Sequence, residues 1–436
     1  MKAGPDREIS FGTDGIRGKF GELPITSDVA FAVGYSVAKM GGKGIIISRD
    51  TRPSGLDLEI AVTSGVLSAG GRALITGVLP TSGMAAALKD NLGDIGIMIT
   101  ASHNPADDNG FKILGSGGKK LSPEDESGLQ TLINETLSKI SVLKKITPSG
   151  TSEDISKIAK ASYESAMLSA FGDLSNLARK KVAIDLANGA GIIIREFLER
   201  TLPCQIFFVN TTSKINDGCG SENTSLLQTL IINKFCDAGI AIDGDGDRCL
   251  LVNQFGVPVT GDALAHGLIR AGNHKKVAIT VMSNAAIESS LPKVNFIRTD
   301  VGDRNLLQEI VNGNATIGCE ESGHVVFSDA LPTGDGLVTG IRAISASFNS
   351  GNVLDYFGVF KPFPRRVGKI PYSEKIELPS FNADELGNGG RIFVRYSGTE
   401  PVLRLLVEGE NETSVEKTFS EVTLKLKDLF ENQKKI

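Results

Sequence analysis

Asp243-Gly244-Asp245-Gly246-Asp247-Arg248 sets three carboxylates at alternate positions with a guanidinium beside them. Three carboxylates cannot crowd together without a counter-charge, and glycine between them lets the backbone curl until their oxygens converge. An all-oxygen donor set with room for water suits Mg²⁺ better than the thiolate and imidazole sets that zinc prefers. Asp243, Asp245 and Asp247 are therefore candidate metal ligands, and Arg248 a candidate contact for an anion beside the metal. The same six residues also suit a plain acidic turn or a calcium loop, although the distal Glu and flanking helices of an EF-hand are missing.

Ser102 lies in Thr100-Ala101-Ser102-His103-Asn104-Pro105, directly after the strand-like IGIMIT. Pro105 and an Asn109-Gly110 turn stiffen a segment that presents its hydroxyl to a cleft. A serine hydroxyl alone is a weak nucleophile. Bound to a divalent cation, its oxygen would have its charge neutralised, which favours storage and in-line transfer of a phosphoryl group, so Ser102 joins the candidate metal ligands. His103 is the rival partner, as a base, but neighbours in an extended chain point opposite ways. An Asn-Pro turn with an idle serine is the plain alternative.

Arg395-Tyr396-Ser397-Gly398-Thr399-Glu400-Pro401 with Arg404 offers guanidiniums, hydroxyls and a glycine-permitted nest of N–H groups, the parts of a phosphate clamp or of an ordinary turn. Gly318-Cys319-Glu320-Glu321-Ser322-Gly323-His324 supplies groups that read hydroxyls, with His324 an acid or base near neutrality or a structural histidine. Phe11 to Gly18 is a glycine-rich loop whose Arg17 could face phosphate. Asp107, Asp108, Asn109, Gly110, Phe111 and Lys112 follow the serine motif and bring further polar groups to it.

The elements that position these residues alternate. Strand-like GIIIS (44–48), ALITGV (73–78) and IGIMIT (95–100) are separated by helical patterns at 57–69 and 82–90, the rhythm of a parallel sheet. The polar stretch 143–156 reads as a linker. A second unit follows with KVAIDLANGAG, helix 191–200, QIFFV (205–209), helix 224–234 and GIAID (239–243). A third opens on LLVN (250–253) and runs through helix 262–271 and KVAITVM (276–282) to helix 335–348. After the proline-rich connector 362–372, strands RIFVR and VLRLLVEG and an amphipathic helix at about 413–431 predict a smaller α+β unit. The fold class is α/β, with domains expected at 1–150, 151–250, 251–365 and 366–436, the three α/β units being related copies.

The chain has 436 residues, enough for two to four cores, and its formal charge of -5 gives no basic footprint for nucleic acid or anionic membrane, which favours small ligands. No apolar run reaches the length of a membrane span, and the start MKAGPDREIS has no signal-peptide pattern, so the expectation is a cytoplasmic protein. Cysteines 204, 219, 236, 249 and 319 are odd in number with no CxxC pair, which predicts free thiols.

In this order FGTDGIRG, TASHNP, DGDGDR, GCEESGH and RYSGTEP resemble the α-D-phosphohexomutase superfamily along essentially the whole chain. The resemblance implies three related α/β domains with mixed sheets plus a C-terminal α+β domain of the TATA-binding-protein type around a central cleft. It implies that Ser102 is a phosphoserine and Asp243, Asp245 and Asp247 ligands of one Mg²⁺. Glu320 and Ser322 then read sugar hydroxyls, Arg395, Ser397, Gly398, Thr399 and Arg404 clamp phosphate, and Arg17, Lys112, Arg248 and His324 surround the reacting groups. DLANGAG, INDGCGS, SNAAIESS and VGDR resemble the phosphoglucosamine mutase branch more than the phosphomannomutase and phosphoglucomutase branch. That branch implies glucosamine 6-phosphate and glucosamine 1-phosphate as substrates, glucosamine or glucose 1,6-bisphosphate as primer, and, at family level, a homodimer. Glu321, Cys319 and SENTSLL depart from the branch's usual Gln, Gly and Thr-His.

Overall fold

The computed structural model describes residues 8–12, 15–42, 44–372, 374–397 and 401–433, the last three by backbone alone. They divide into one unit made of residues up to 281 with 297–357, and a second made of 282–296 with 358 onward.

The first unit begins with β1 (Ile16–Lys19), β2 (Gly44–Arg49), β3 (Arg72–Val78), β4 (Ile95–Ile99), β5 (Asp108–Leu114) and β6 (Thr151–Asp154), paired in the order β1-β5-β4-β2-β3-β6. The apolar runs behave as their sequence requires. Ile45, Ile46, Ile47, Ile97 and Ile99 are fully buried on parallel strands covered by helices on both faces. β5 turns back antiparallel on β4, and β1 pairs antiparallel with β5. The stretch expected as a linker contains β6, which adds to the sheet edge beside β3. Its side chains are all exposed, so backbone pairing alone makes it a strand and no apolar period announces it.

A second sheet joins β7 (Lys181–Asp185), β8 (Gln205–Val209), β9 (Ala238–Ile242), β10 (Cys249–Asn253) and β11 (Pro258–Val259) in the order β11-β10-β9-β7-β8. LLVN does not open a third unit: it lies in β10, antiparallel to β9, so the second sheet runs on to Val259. A short apolar run reads alike in either sheet, and only the turn at 243–248 decides its partner. The third sheet orders β12 (Lys276–Thr280), β13 (Asn295–Thr299), β14 (Ile317–Cys319) and β15 (Val325–Phe327) as β13-β12-β14-β15. Asp335 caps helix Gly336–Asn349 by accepting from Val338 N at 2.8 Å, and takes Ser82 Oγ and Tyr163 OH at 2.6 Å each. That buried carboxylate ties together helices Thr81–Lys89, Ser156–Phe171 and Gly336–Asn349.

The second unit is an antiparallel sheet of β16 (Arg365–Pro371), β17 (Arg391–Tyr396) and β18 (Val402–Glu408), ordered β16-β18-β17. Leu403, Leu405 and Val407 pack with Val415, Val422 and Leu426 of helix Glu412–Gln433. Asn284 and Ala285 anchor the segment 282–296 to the sheet through Phe363 and Glu408. The connector expected at 362–372 is largely strand β16; its prolines fall at an edge strand's end, where a missing N–H breaks no ladder.

Four of the five cysteines are buried and none forms a disulfide. Among the described residues no helix is long and apolar enough to cross a membrane.

His266, on helix Gly261–Ala271, is 4% exposed, and burial followed by the charge of Arg270 lowers its pKa to about 4. Its pKa in the unfolded chain is about 6.5, so between the two values the unfolded state binds more protons and stability falls as pH drops. Replacing His266 with Gln removes this dependence. Urea unfolding at about pH 7 and about pH 5 should show the variant losing roughly 1–2 kcal/mol less than the parent over that interval; equal losses would contradict the assignment.

Candidate active site

Three motif loops occupy equivalent places. The Ser102 segment links β4 to its antiparallel return β5, the Asp243 to Arg248 turn links β9 to β10, and Glu320 to His324 links β14 to β15. In each case the motif sits just beyond the carboxyl end of a parallel strand, the place where open α/β sheets bind ligands. This repetition is what three related α/β units predict.

The carboxylates converge. Asp243, Asp245 and Asp247 are buried and offer oxygens that all lie within 4.8 Å of one another. Asp245 Oδ2 accepts from Thr81 Oγ1 at 2.6 Å and from Lys112 Nζ at 2.7 Å, and Asp247 Oδ2 accepts from Lys112 Nζ at 2.8 Å. Asp245 Oδ1 and Asp247 Oδ1 are buried without a hydrogen-bond partner among the described residues. Burial, then the charges of Asp247 and Asp245, hold the Asp243 carboxyl well above the usual carboxylate range. Burial acts the same way on Asp247, but Lys112, His324 and Arg248 together pull it well below that range. Two orphaned buried oxygens among crowded carboxylates fit a hard divalent cation, which would satisfy both and relieve the repulsion. Glycine at 244 is required by space: a Cβ there would lie 2.7 Å from the Ser102 carbonyl oxygen.

Ser102 meets this cluster directly. Its Oγ donates to Asp243 Oδ2 at 2.6 Å, and the residue is fully buried with φ of +54°, in the left-handed region. The chain is thus not extended at Ser102, and the His103 ring stays close, its Nδ1 3.4 Å from Ser102 Oγ. That nitrogen also lies 2.8 Å from Arg248 Nη1, so it accepts from the guanidinium and is not available as a base toward serine. Burial and then Arg248 lower the pKa of His103, in keeping with a neutral ring. The pairing of Ser102 with His103 as its base fails because Arg248 holds the imidazole, not because neighbouring side chains diverge. Arg17 Nη1 reaches the Ala101 carbonyl at 3.4 Å, and Arg248 N donates to Asp243 Oδ1 at 3.2 Å. His324 Nδ1 stands 3.8 Å from Asp247, and its Nε2 4.0 Å from Asp303. Burial opposes the imidazolium, but these carboxylates raise the His324 pKa to about 9.

Two groups that hold the serine loop escape sequence reasoning. Arg52 is 2% exposed; its Nε pairs with Asp50 at 3.0 Å and its Nη2 donates to the carbonyls of Ser102 at 2.8 Å and Asn104 at 2.9 Å. Its Nη1 donates to Asp108 O at 2.8 Å and also to Pro105 O. Asn216 Nδ2 donates to the same carbonyls of Ser102 and Asn104, at 2.7 and 2.9 Å. The signal for Arg52 is RDTRPSG at the exit of β2, a strand exit like that of TASHNP; Asn216 lies within INDGCGS.

Glu320 uses its carboxylate locally, accepting from Gly302 N at 2.9 Å and Ser322 Oγ at 3.2 Å. Through His324 this loop adjoins the aspartates. In the second unit Arg395 lies directly opposite Arg404, and Lys369 directly opposite Arg404 on its other side. Three cations in one row across a sheet repel one another, an arrangement suited to an anion. Ser397 is buried and its N donates to Val402 O at 2.9 Å, closing the hairpin; Gly398 and Thr399 lie outside the described residues.

Comparison with known proteins gives this geometry its context. Family models for phosphoglucomutase/phosphomannomutase match the α/β/α domain I at residues 8–139, domain III at 259–357 and the C-terminal domain at 379–425. A phosphoglucosamine mutase of Clostridium botulinum (strain Hall) is 34% identical, the match covering 93% of this chain and 96% of that one. The crystal structure of a phosphoglucomutase/phosphomannomutase family protein from Burkholderia thailandensis superposes with a TM-score of 0.76 at 22% identity, covering 95% of this chain and 97% of the other. The N-acetylphosphoglucosamine mutase of Aspergillus fumigatus, solved in complex with GlcNAc-6P and magnesium, has the same fold at a TM-score of 0.66 and 18% identity, covering 98% and 97%. The chain belongs to the phosphohexomutase superfamily and, within it, to the phosphoglucosamine mutase family.

Proposed function

We propose that this chain is a phosphoglucosamine mutase that interconverts glucosamine 6-phosphate and glucosamine 1-phosphate, with Ser102 as its phosphoryl carrier. The observation that carries the reading is Ser102 Oγ held 2.6 Å from Asp243 at a buried three-aspartate cluster. Asp243, Asp245 and Asp247, with Ser102 Oγ, would hold one Mg²⁺; when bound, the ion neutralises charge on the phosphoryl oxygens and on the serine oxygen.

In the first half-reaction a sugar hydroxyl oxygen bonds to phosphorus as the P–Oγ bond of phosphoserine breaks. The hydroxyl gives up its proton, the departing Ser102 Oγ takes one up, and the enzyme is left with free serine and a sugar bisphosphate. In the second half Ser102 Oγ takes the other phosphoryl group back, and the sugar oxygen that leaves recovers a proton. The bisphosphate is also the primer of an unphosphorylated enzyme. Lys112, hydrogen-bonded to Asp245 and Asp247, is our choice for the proton carrier, with Arg17, Arg248 and His324 surrounding the transferred group. Glu320 and Ser322 read sugar hydroxyls, and Arg395, Ser397, Gly398, Thr399 and Arg404 grip the phosphate that is not reacting. Glu321, beside Glu320, offers a carboxylate for the substrate ammonium.

Three outcomes test this reading. Ser102→Ala should abolish protein-bound phosphate and lower turnover by on the order of 10⁴-fold or more; near-normal turnover in the variant would end the carrier role. Chelation should stop activity and added Mg²⁺ restore it, whereas indifference to chelator would remove the assignment of the three aspartates. With the matching bisphosphates supplied, glucosamine phosphates should turn over faster than glucose or mannose phosphates. A preference for mannose would overturn the substrate.

A further inference from the structure

Arg52 and Asn216 lie in loops that follow strands of different sheets, β2 and β8, yet grip the same two carbonyl oxygens, those of Ser102 and Asn104, each with a single nitrogen. A carbonyl oxygen has two lone pairs, so the Ser102 oxygen is saturated by Arg52 Nη2 at 2.8 Å and Asn216 Nδ2 at 2.7 Å. Both donors are themselves fixed. Arg52 is buried and paired with Asp50, whose Oδ2 also accepts from Thr100 Oγ1 at 2.7 Å. Asn216 N donates to Ala187 O at 3.0 Å.

Saturating that oxygen fixes a second group. A peptide unit is planar and trans, so the N–H of His103 points opposite to the Ser102 carbonyl, away from Arg52 and Asn216. Among the described residues nothing accepts from it, whereas Ser102 N donates to Thr100 Oγ1 at 2.9 Å and Asn104 N to Ala101 O at 3.1 Å. Among the described residues Ala101, Ala106 and Asp107 likewise show no acceptor for their N–H, so what singles out the His103 N–H is its place. The residue that bears it borders the Ser102 hydroxyl, 3.4 Å from it through the ring nitrogen.

We propose that the backbone N–H of His103 donates to an oxygen of the phosphoryl group on Ser102, and that Arg52 and Asn216 are the positioning residues that aim it. This rests on the reading of Ser102 as phosphoryl carrier. Backbone N–H groups beside a left-handed residue form concavities that take anionic oxygens, and a donor fixed beforehand needs no reorganisation as charge shifts during transfer. The arrangement also explains why Ser102 is kept in a left-handed conformation: there its hydroxyl reaches Asp243 while its carbonyl stays with the two donors.

The sequence makes the test direct. Ser102-His103 is the sole Ser-His pair in the chain, so protein labelled with ¹³C-carbonyl serine and ¹⁵N-histidine has one backbone amide coupled to a labelled carbonyl, that of His103. Its amide proton should move downfield on phosphorylation of the intact protein in Mg²⁺, further than those of His266, His274 and His324. Intact mass on the same samples reports whether Ser102 carries the phosphoryl group. An unmoved His103 amide in protein shown to be phosphorylated would overturn the proposal. Absence of the phosphoryl group would overturn the carrier reading and this inference with it. Asn216→Ala should shrink the shift and lower kcat roughly 10-fold, with KM for the sugar phosphate nearly unchanged. If that variant folds poorly, Arg52→Lys serves instead, and the wild-type spectra decide the matter without either. A folded variant that raises KM and leaves kcat and the shift intact would contradict the positioning role.

Discussion

Asp243, Asp245 and Asp247 offer oxygens within 4.8 Å of one another in a buried turn, and like charges that close cannot all be ionised without a counter-charge. The surrounding structure answers this repulsion at every side. Lys112 reaches two of the carboxylates from β5, Thr81 donates from a helix N-terminus, and His324 stands against Asp247 from the third sheet's loop. Asp245 Oδ1 and Asp247 Oδ1 still lack a hydrogen-bond partner among the described residues, which suits a cation at the cluster. Elements from all three α/β sheets thus meet at one charge problem, and the serine hydroxyl is one of the groups meeting there.

Holding a serine hydroxyl against such a cluster demands rigidity that a surface loop ordinarily lacks. The Ser102 loop obtains it from a buried guanidinium and a carboxamide that take over its carbonyls, so the loop keeps a left-handed turn at Ser102. In the second unit the row Lys369, Arg404 and Arg395 poses the opposite charge problem, cations crowded on one sheet face beside a short hairpin.

Alternation of glycine with aspartate made the acidic cluster legible in the chain, whereas the serine at a strand exit, which an idle Asn-Pro turn would fit equally, gained its reading from the other motifs and the family resemblance joined to it. The parallel strands announced themselves by unbroken apolar runs such as GIIIS, and the motif loops by their place after them. What escaped were features set by partners distant in sequence. β6 has no apolar period, β10 gives no sign of which sheet it joins, and β16 hides between prolines. The expectation that His103 points away from Ser102 assumed an extended backbone, whereas a φ of +54° keeps the two side by side. Arg52 and Asn216 lie far from Ser102 along the chain, and Lys369 faces Arg404 only once the register is known. No local pattern encodes such contacts.

The central claim is that the phosphoryl group on Ser102 moves to the sugar and a different one returns. Its most direct test is a rapid-quench experiment with enzyme carrying a radiolabelled phosphoryl group, mixed in Mg²⁺ with unlabelled glucosamine 6-phosphate. The account predicts that label leaves the protein, appears first in the sugar bisphosphate, and then in the monophosphate product at the position where it was accepted. Label released as inorganic phosphate, or retained on the protein while product accumulates, would contradict it.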